Sequence, residues 1–368
     1  HNFEMAHPAD FLGPFQVAPV MARIRLVLRS VVRPVVQGLK FSACVVTFAV
    51  DYCCCMVRDR HTCSPRSYRL LRGLYATSHG RSQAILAAPF QWRYPLALSA
   101  PPAQVRAQVA QLDAQGYCSA REPSEAVRGL CQTLREHLSR CPVQEVLGEA
   151  TVRPGGPRQA ARLNYQRDAV AACSAAWQLI DALALPEVAG LYLRCRPLIT
   201  SVDCWQVVPI DPSPQAEALY SAAAQTFHYD MDWIKFVKFF IHLTDVDDGA
   251  SGPFEYVPGS HRHKHLAYYS DGRFDQLVGD PEVVVSLGPV GSVFAADTAG
   301  LHRDGRARGT ASRLVLQVEF AVAAFGAKFQ YNQALEACSR VIPWESLPPS
   351  FTRDARLLQL FQGVAGCC

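Results

Sequence analysis

The chain has 368 residues, 49% apolar and 18% charged, with a formal net charge of +4. That length holds one large domain or two ordinary ones around a sizeable core, and 10% aromatic residues with mixed charge exclude a largely disordered chain. Glycine (23) and proline (25) are close to average, which excludes a collagen-like chain, and so small a net charge gives no reason to expect a nucleic-acid partner.

From Phe11 to Val50 there is no acidic residue, while Arg23, Arg25, Arg29, Arg33 and Lys40 fall in that stretch. The apolar run Phe41–Val57 follows, 17 residues interrupted by Asp51. Such a run is at the short limit for crossing a bilayer, and an aspartate near its middle costs about 2.5–3.5 kcal/mol on insertion. No transmembrane helix is therefore expected. Nor is a signal peptide, because the run lies far in and lacks a small-residue cleavage site. Residues 1–95 read as a basic N-terminal extension packing on the main domain. The same composition would also suit peripheral contact with an anionic membrane through residues 21–57.

Fourteen cysteines are present, three of them consecutive at Cys53, Cys54 and Cys55. Adjacent cysteines suit no regular disulfide framework. Cys367 and Cys368 are also adjacent, and the rest are scattered singly through apolar stretches and read as reduced, buried thiols of a cytoplasmic protein. Cys53, Cys54 and Cys55 with His61 and Cys63 match no zinc-module spacing.

Between Ala100 and Leu185 the pattern is helical. Val105, Val109 and Leu112 recur at helical spacing over Ala103–Gln115 before Gly116 stops the run, and Ala126–Leu138 and Asp168–Leu183 read the same way. From Leu191 onward short β runs alternate with turns: Leu198–Val208, Ile234–Leu243, Phe254–Val257, Val283–Leu287, Ser292–Ala296 and Arg313–Val322. Many short, evenly spaced strands predict a sandwich or barrel of jelly-roll type.

Phe227-His228-Tyr229-Asp230 sets an imidazole and a carboxylate two residues apart, on one side of an extended chain. His302 comes 74 residues after His228, just past a β run. Two histidines and a carboxylate make the facial triad suited to non-haem Fe(II), with positions left for a cosubstrate and O2. Asp232 is an alternative carboxylate for that role.

Arg313 opens an apolar strand eleven residues beyond His302. A guanidinium at the head of a buried strand needs an anionic partner, and its fork of donors suits a carboxylate. A dicarboxylate cosubstrate chelating iron through its keto-acid end would place its far carboxylate there. Lys238 shares parity with Phe240 and His242, so on a barrel-lining face its ammonium needs an anion, either 2-oxoglutarate or an acidic substrate group. Lys235, on the opposite parity, is expected to reach solvent. Gln206 is a further cosubstrate contact, and Trp205, Asn164, Tyr165 and Arg303 are candidate substrate contacts. The run His261-Arg262-His263-Lys264-His265, with Arg303, Arg306 and Arg308, suggests an anionic small-molecule substrate. It is a poor zinc site, because adjacent residues cannot all converge on one ion.

Taken in order, His228-Tyr229-Asp230, Lys238–Asp245 (KFFIHLTD), Gly252–His261 (GPFEYVPGSH), Gly291–His302 (GSVFAADTAGLH) and Arg313 resemble the phytanoyl-CoA dioxygenase family of Fe(II)/2-oxoglutarate oxygenases. The resemblance is good over Gln225–Phe320 and looser from Gln111, where Leu112–Tyr117 is similar to the family's helix-then-strand opening. It implies a mainly β fold with flanking helices and a double-stranded β-helix core, cupin-like, over 191–325. That core would sit in an oxygenase domain of 96–368, with a helical cover over 100–190 and a C-terminal segment over 326–368.

The resemblance further implies His228, Asp230 and His302 on iron and Arg313 on the C5 carboxylate of 2-oxoglutarate, with O2 as oxidant and ascorbate as a stimulant. The implied reaction is hydroxylation of an unactivated C–H of a small molecule, such as a lipid, sugar or secondary metabolite, with succinate and CO2 as coproducts. Related halogenases replace the metal carboxylate with a small residue, so Asp230 favours hydroxylation, desaturation or another oxidative outcome over halogenation. The rival expectations are a non-catalytic jelly-roll binding protein and a metal-dependent cupin that does not use 2-oxoglutarate. An intact triad together with Arg313 argues against both.

Overall fold

The computed structural model describes residues 33–58, 64–78, 81–96, 101–146, 160–213, 216–262, 281–325, 338, 340–354 and 356–362. Three helices come first: α1 (Arg33–Arg58), α2 (Pro65–Ser78) and α3 (Arg81–Arg93). Asp51, which interrupts the long apolar run, is buried in α1 and anchors the start of α2. Its Oδ2 accepts hydrogen bonds from Ser67 Oγ (2.6 Å) and the Ser64 amide (2.9 Å). Among the described residues no helix is long and apolar enough to cross a membrane.

The next helices are α4 (Ala103–Gln115), α5 (Glu125–Leu138), α6 (Arg167–Ala171), α7 (Ser174–Ala182) and α8 (Leu185–Leu193). Gly116 ends α4 in the left-handed region (φ 75°), its amide closing on the Leu112 carbonyl, a conformation in which glycine carries no Cβ penalty. Ser124 caps α5 by accepting the Val127 amide on its side chain. The expected single helix over 168–183 is two, α6 and α7. The break is stabilised by the buried Trp177 indole, whose Nε1 donates to the Ala171 carbonyl (2.8 Å).

The strands form two antiparallel sheets. The larger runs in the order β1 (Tyr117–Arg121), β9 (Val293–Ala296), β6 (Phe236–His242), β11 (Arg313–Ala321), β4 (Leu198–Val207), β3 (Arg162–Tyr165) and β2 (Val143–Glu145). The smaller runs β5 (His228–Tyr229), β10 (Leu301–Asp304), β7 (Phe254–Tyr256) and β8 (Val284–Val285). Tyr117, Trp205, Phe240 and Phe294 from the larger sheet pack with Phe254 and Tyr256 from the smaller, so the sheets face each other across an aromatic interior. This is the expected mainly β, jelly-roll fold with flanking helices.

The other face of the larger sheet lies under the helices. Val237, Phe239, Ile241, Leu316, Val318 and Phe320 join a cluster with Val105, Leu112, Leu134, Trp177, Ile180 and Leu193. Burial on both faces explains why β6 and β11 read as mainly apolar, with the polar residues Lys238, His242, Arg313, Gln317 and Glu319 confined to one parity of each strand. Alternation survives in the destination of each side chain: Lys238, Phe240 and His242 point between the sheets, and Val237, Phe239 and Ile241 point to the helices.

The same cluster takes in Cys55, Leu71, Tyr75, Ala87 and Phe90 from α1, α2 and α3. Phe48 and Tyr52 meet Phe325 edge-on at 5.5 and 5.6 Å. The Tyr75 hydroxyl donates to the Ile234 carbonyl just ahead of β6. The apolar interior therefore runs unbroken across residue 95. Of the described cysteines, Cys55, Cys118, Cys131, Cys173, Cys195, Cys204 and Cys338 are buried. Burial pushes the Cys131 and Cys338 thiols up to about 12, so they pack as small apolar groups.

Candidate metal centre

The site forms where β5 meets β10. His228 and His302 are direct register partners on these antiparallel strands, and their ring centroids are 4.3 Å apart. Each ring is tied back to its own chain. Nδ1 of His228 donates to the Thr226 carbonyl (2.8 Å), and Nδ1 of His302 donates to the Gly300 carbonyl (2.9 Å). This fixes the tautomer that leaves each Nε2 lone pair facing inward, the arrangement usual for metal-binding histidines.

Asp230 follows β5 and is held by its amide, which donates to the Thr298 carbonyl (2.8 Å). Its Oδ1 lies 3.7 Å from His228 Nε2, and its Oδ2 lies 3.4 Å from His302 Nε2. One ligand atom from each of His228, Asp230 and His302 lies within 4.8 Å of the others. Burial, with the neighbouring His302 ring, lowers the His228 pKa to about 4. Burial alone would raise the Asp230 carboxyl, but the Lys238 ammonium and the two imidazoles outweigh it and hold it well below the usual range. A neutral His228 and an ionised Asp230 are protonation states that suit a metal, and two nitrogens with one oxygen suit a divalent first-row ion. Asp232 points elsewhere: its Oδ2 pairs with Lys238 Nζ at 2.8 Å.

Lys238 is buried beneath the triad. Its Nζ lies 2.6 Å from Asp230 Oδ2 and 3.7 Å from Glu319 Oε1. Glu319, fully buried, also accepts from Thr200 Oγ1 and Trp233 Nε1, each at 2.8 Å. One ammonium thus joins the Asp230 carboxylate to two carboxylates of the interior. Lys235, expected at the surface, is half-buried instead, with its ammonium 4.7 Å from the Tyr192 ring centre and 3.4 Å from the Tyr192 carbonyl. Burial lowers its pKa.

A cavity of about 670 Å³ opens over His228, Asp230 and His302. His228, Asp230, His302, Lys238, Trp205, Asn164 and Tyr165 line it, joined by Arg162, Arg167, Asp203, Phe240, Phe254, Asp304 and Gln317. Gln206 does not line it, because its side chain turns to Ser312 Oγ (3.1 Å). Arg303 does not line it either. It pairs with Glu255 (2.6 Å) and its guanidinium lies 4.3 Å from the Phe227 ring centre. Arg306 is paired through both terminal nitrogens with Glu217, so two of the basic residues expected to greet an anionic substrate already have acidic partners. His263, Lys264 and His265 lie outside the described residues.

Arg313, at the head of β11, is completely buried and does not line the cavity. Its Nη2 donates to Asp304 Oδ1. Its Nε and Nη1 have no hydrogen-bond partner among the described residues. A buried guanidinium with unmet donors is a place where a further carboxylate fits. Nearby His242 also has a buried Nε2 without a partner, and burial together with Arg313 lowers its pKa to about 4.

Sequence reasoning passed over Asp304 and Arg162. Asp304 carried a usable signal, since it lies two residues past His302 and therefore on the same side of a strand. Arg162 carried none.

No protein-family model matches the chain, and no curated protein matches it. Solved structures similar to it include the non-haem α-ketoglutarate-dependent epimerase SnoN from nogalamycin biosynthesis (14% identity, 60% of this chain and 84% of that one, TM-score 0.42). Another is AviO1 from Streptomyces viridochromogenes Tue57 (14% identity, 60% and 96%, TM-score 0.40). A third is HygX from Streptomyces hygroscopicus with nickel, 2-oxoglutarate and hygromycin B bound (16% identity, 61% and 88%, TM-score 0.39).

Proposed function

We propose that this protein is a non-haem Fe(II)- and 2-oxoglutarate-dependent oxygenase that oxidises a small molecule, with hydroxylation of an unactivated C–H as its outcome. The observation that carries the reading is the convergence of His228, Asp230 and His302, with both Nδ1 atoms anchored on backbone carbonyls. His228, Asp230 and His302 would hold the iron, and Arg313 would take the far carboxylate of 2-oxoglutarate on its unmet donors. The bound metal supplies O2 activation coupled to oxidative decarboxylation of the cosubstrate to succinate and CO2.

The protein's own groups do the rest. Lys238 keeps Asp230 ionised and fixed in direction. Phe240 and Phe254 line the cavity and exclude water, while Trp205, Asn164 and Tyr165 offer an aromatic and amide surface to hold the substrate. The presence of Asp230 disfavours halogenation, since its carboxylate fills the position a halide would need.

A metal-dependent reaction without 2-oxoglutarate is the second reading, favoured by one observation: Asp304 already occupies an edge of Arg313. The test is succinate formation from 2-oxoglutarate with Fe(II), in wild type and in His228→Ala. Wild-type turnover abolished by the substitution supports the proposal. Fe(II) binding without succinate formation, across a panel of small-molecule substrates, rejects it in favour of the second reading.

A further inference from the structure

We infer that Asp304 is a built-in occupant of Arg313 that limits how much a cosubstrate's second carboxylate contributes to binding, with Arg162 as the cation that offsets it. The inference rests on the proposed use of 2-oxoglutarate.

Asp304 is two residues beyond His302 on β10, so strand alternation brings it to the same side as that ligand. It lines the cavity, whereas Arg313 does not. The carboxylate therefore stands between the cavity and the guanidinium. Its Oδ1 accepts a hydrogen bond from Arg313 Nη2. Its Oδ2 accepts from Trp205 Nε1 at 3.0 Å and lies 3.9 Å from Arg162 Nη1. Arg162 lines the cavity and is stacked over the Trp205 ring at 3.9 Å. Arg162, Trp205, Asp304 and Arg313 thus form a connected row from the cavity wall to the buried strand.

A second carboxylate arriving on the unmet Nε and Nη1 donors would share one guanidinium with Asp304. Two like charges in a poorly solvated site oppose each other, more strongly than they would in water. Arg162 offsets one of the two charges from the cavity side. Dicarboxylate binding is then the balance of two cations and two anions, and each substitution in the row moves it in a defined direction.

Anaerobic titration calorimetry of the Mn(II)-loaded protein tests this with two ligands. 2-Oxoglutarate carries the second carboxylate, and 2-oxovalerate shares the keto-acid end but lacks it. Asp304→Asn is expected to tighten 2-oxoglutarate about tenfold, or about 1.4 kcal/mol, and to leave 2-oxovalerate within about twofold. Unchanged or weakened 2-oxoglutarate binding, or equal tightening of both ligands, overturns the inference.

Because Asp304→Asn leaves a buried arginine short of a partner, Arg162→Gln serves as the second variant should the first fail to fold. It is expected to weaken 2-oxoglutarate about tenfold while sparing 2-oxovalerate. No effect, or the same effect on both, overturns the inference. Mn(II) binding with no response to either 2-oxo acid in wild type and both variants sinks the oxygenase reading itself, and this inference with it.

Discussion

His228 and His302 face each other across one antiparallel rung, with ring centroids 4.3 Å apart. Neither ring is placed by its own loop alone, since the β5–β10 register sets their separation. A slip of one residue would send one imidazole to the far side of the sheet. His228→Ala or His302→Ala removes one of the three proposed ligands and is expected to weaken Mn(II) binding by more than about 100-fold, beyond the ~10–100-fold typical of losing an outer-shell partner. Calorimetric titration of the metal-free variants measures it, and affinity within tenfold of wild type would dismiss the assigned ligand set.

Gly300, whose carbonyl orients His302, has no room for a side chain. A Cβ there would lie 2.0 Å from the Tyr256 hydroxyl oxygen. Gly300→Ala should therefore shift β10 and weaken metal binding about tenfold or more, as loss of an outer-shell support does. The Tyr256 hydroxyl is the nearest obstacle, ahead of Tyr256 Cζ at 2.7 Å and Ser260 Oγ at 2.9 Å, so Gly300→Ala with Tyr256→Phe should recover part of the loss. A double variant no better than the single would place the strain elsewhere.

Lys238 is the shared ion-pair partner of Asp230, Asp232 and Glu319. Lys238→Met leaves buried carboxylates without their cation and should cost about 3–5 kcal/mol at neutral pH. The Asp230 carboxyl is held below its ordinary range. Its contribution is therefore present above the unfolded value of about 3.9 and is lost as pH falls through the folded value. The wild-type advantage in urea unfolding should accordingly shrink below about pH 4, and a constant difference at all pH values would contradict the charge argument.

His242 is buried with its pKa lowered to about 4 by burial and by Arg313. The folded state disfavours the imidazolium, so stability is full above the unfolded value of about 6.5 and falls as pH drops toward 4, by at most about 3 kcal/mol. His242→Phe, edge-on to Phe294 like the native ring, should flatten the urea midpoint of metal-free protein between pH 6.5 and 4. Parallel wild-type and variant profiles would show that this ring does not contribute.

Arg313→Ala should leave Mn(II) affinity within about threefold and raise the 2-oxoglutarate dissociation constant about 100-fold, the loss of a charge-assisted, two-donor contact worth roughly 3 kcal/mol. Equal effects on metal and 2-oxoglutarate would mean that the substitution acts through the fold.

The jelly-roll class was legible because β4, β6 and β11 are long and apolar enough to announce themselves. His228 and Asp230 were legible because two-residue spacing has one meaning in an extended chain. The strands that carry the centre were not: β5 has two residues and β10 four, too short to display a period. Gln206 and Arg303 do not line the cavity, for a related reason. Parity says which side a residue faces, but it does not say that Ser312 or Glu255 waits there. Lys235 was misjudged because its neighbour Tyr192 belongs to a helix 43 residues earlier.

The Tyr75 hydroxyl rests on the Ile234 carbonyl, two residues before the strand that carries Lys238. Amide exchange along β6 thereby becomes a reporter of helix α2. Loosening α2 would be sensed as faster exchange at Phe236 and Val237, at the head of the strand that carries Lys238, before His228, Asp230 and His302 themselves moved.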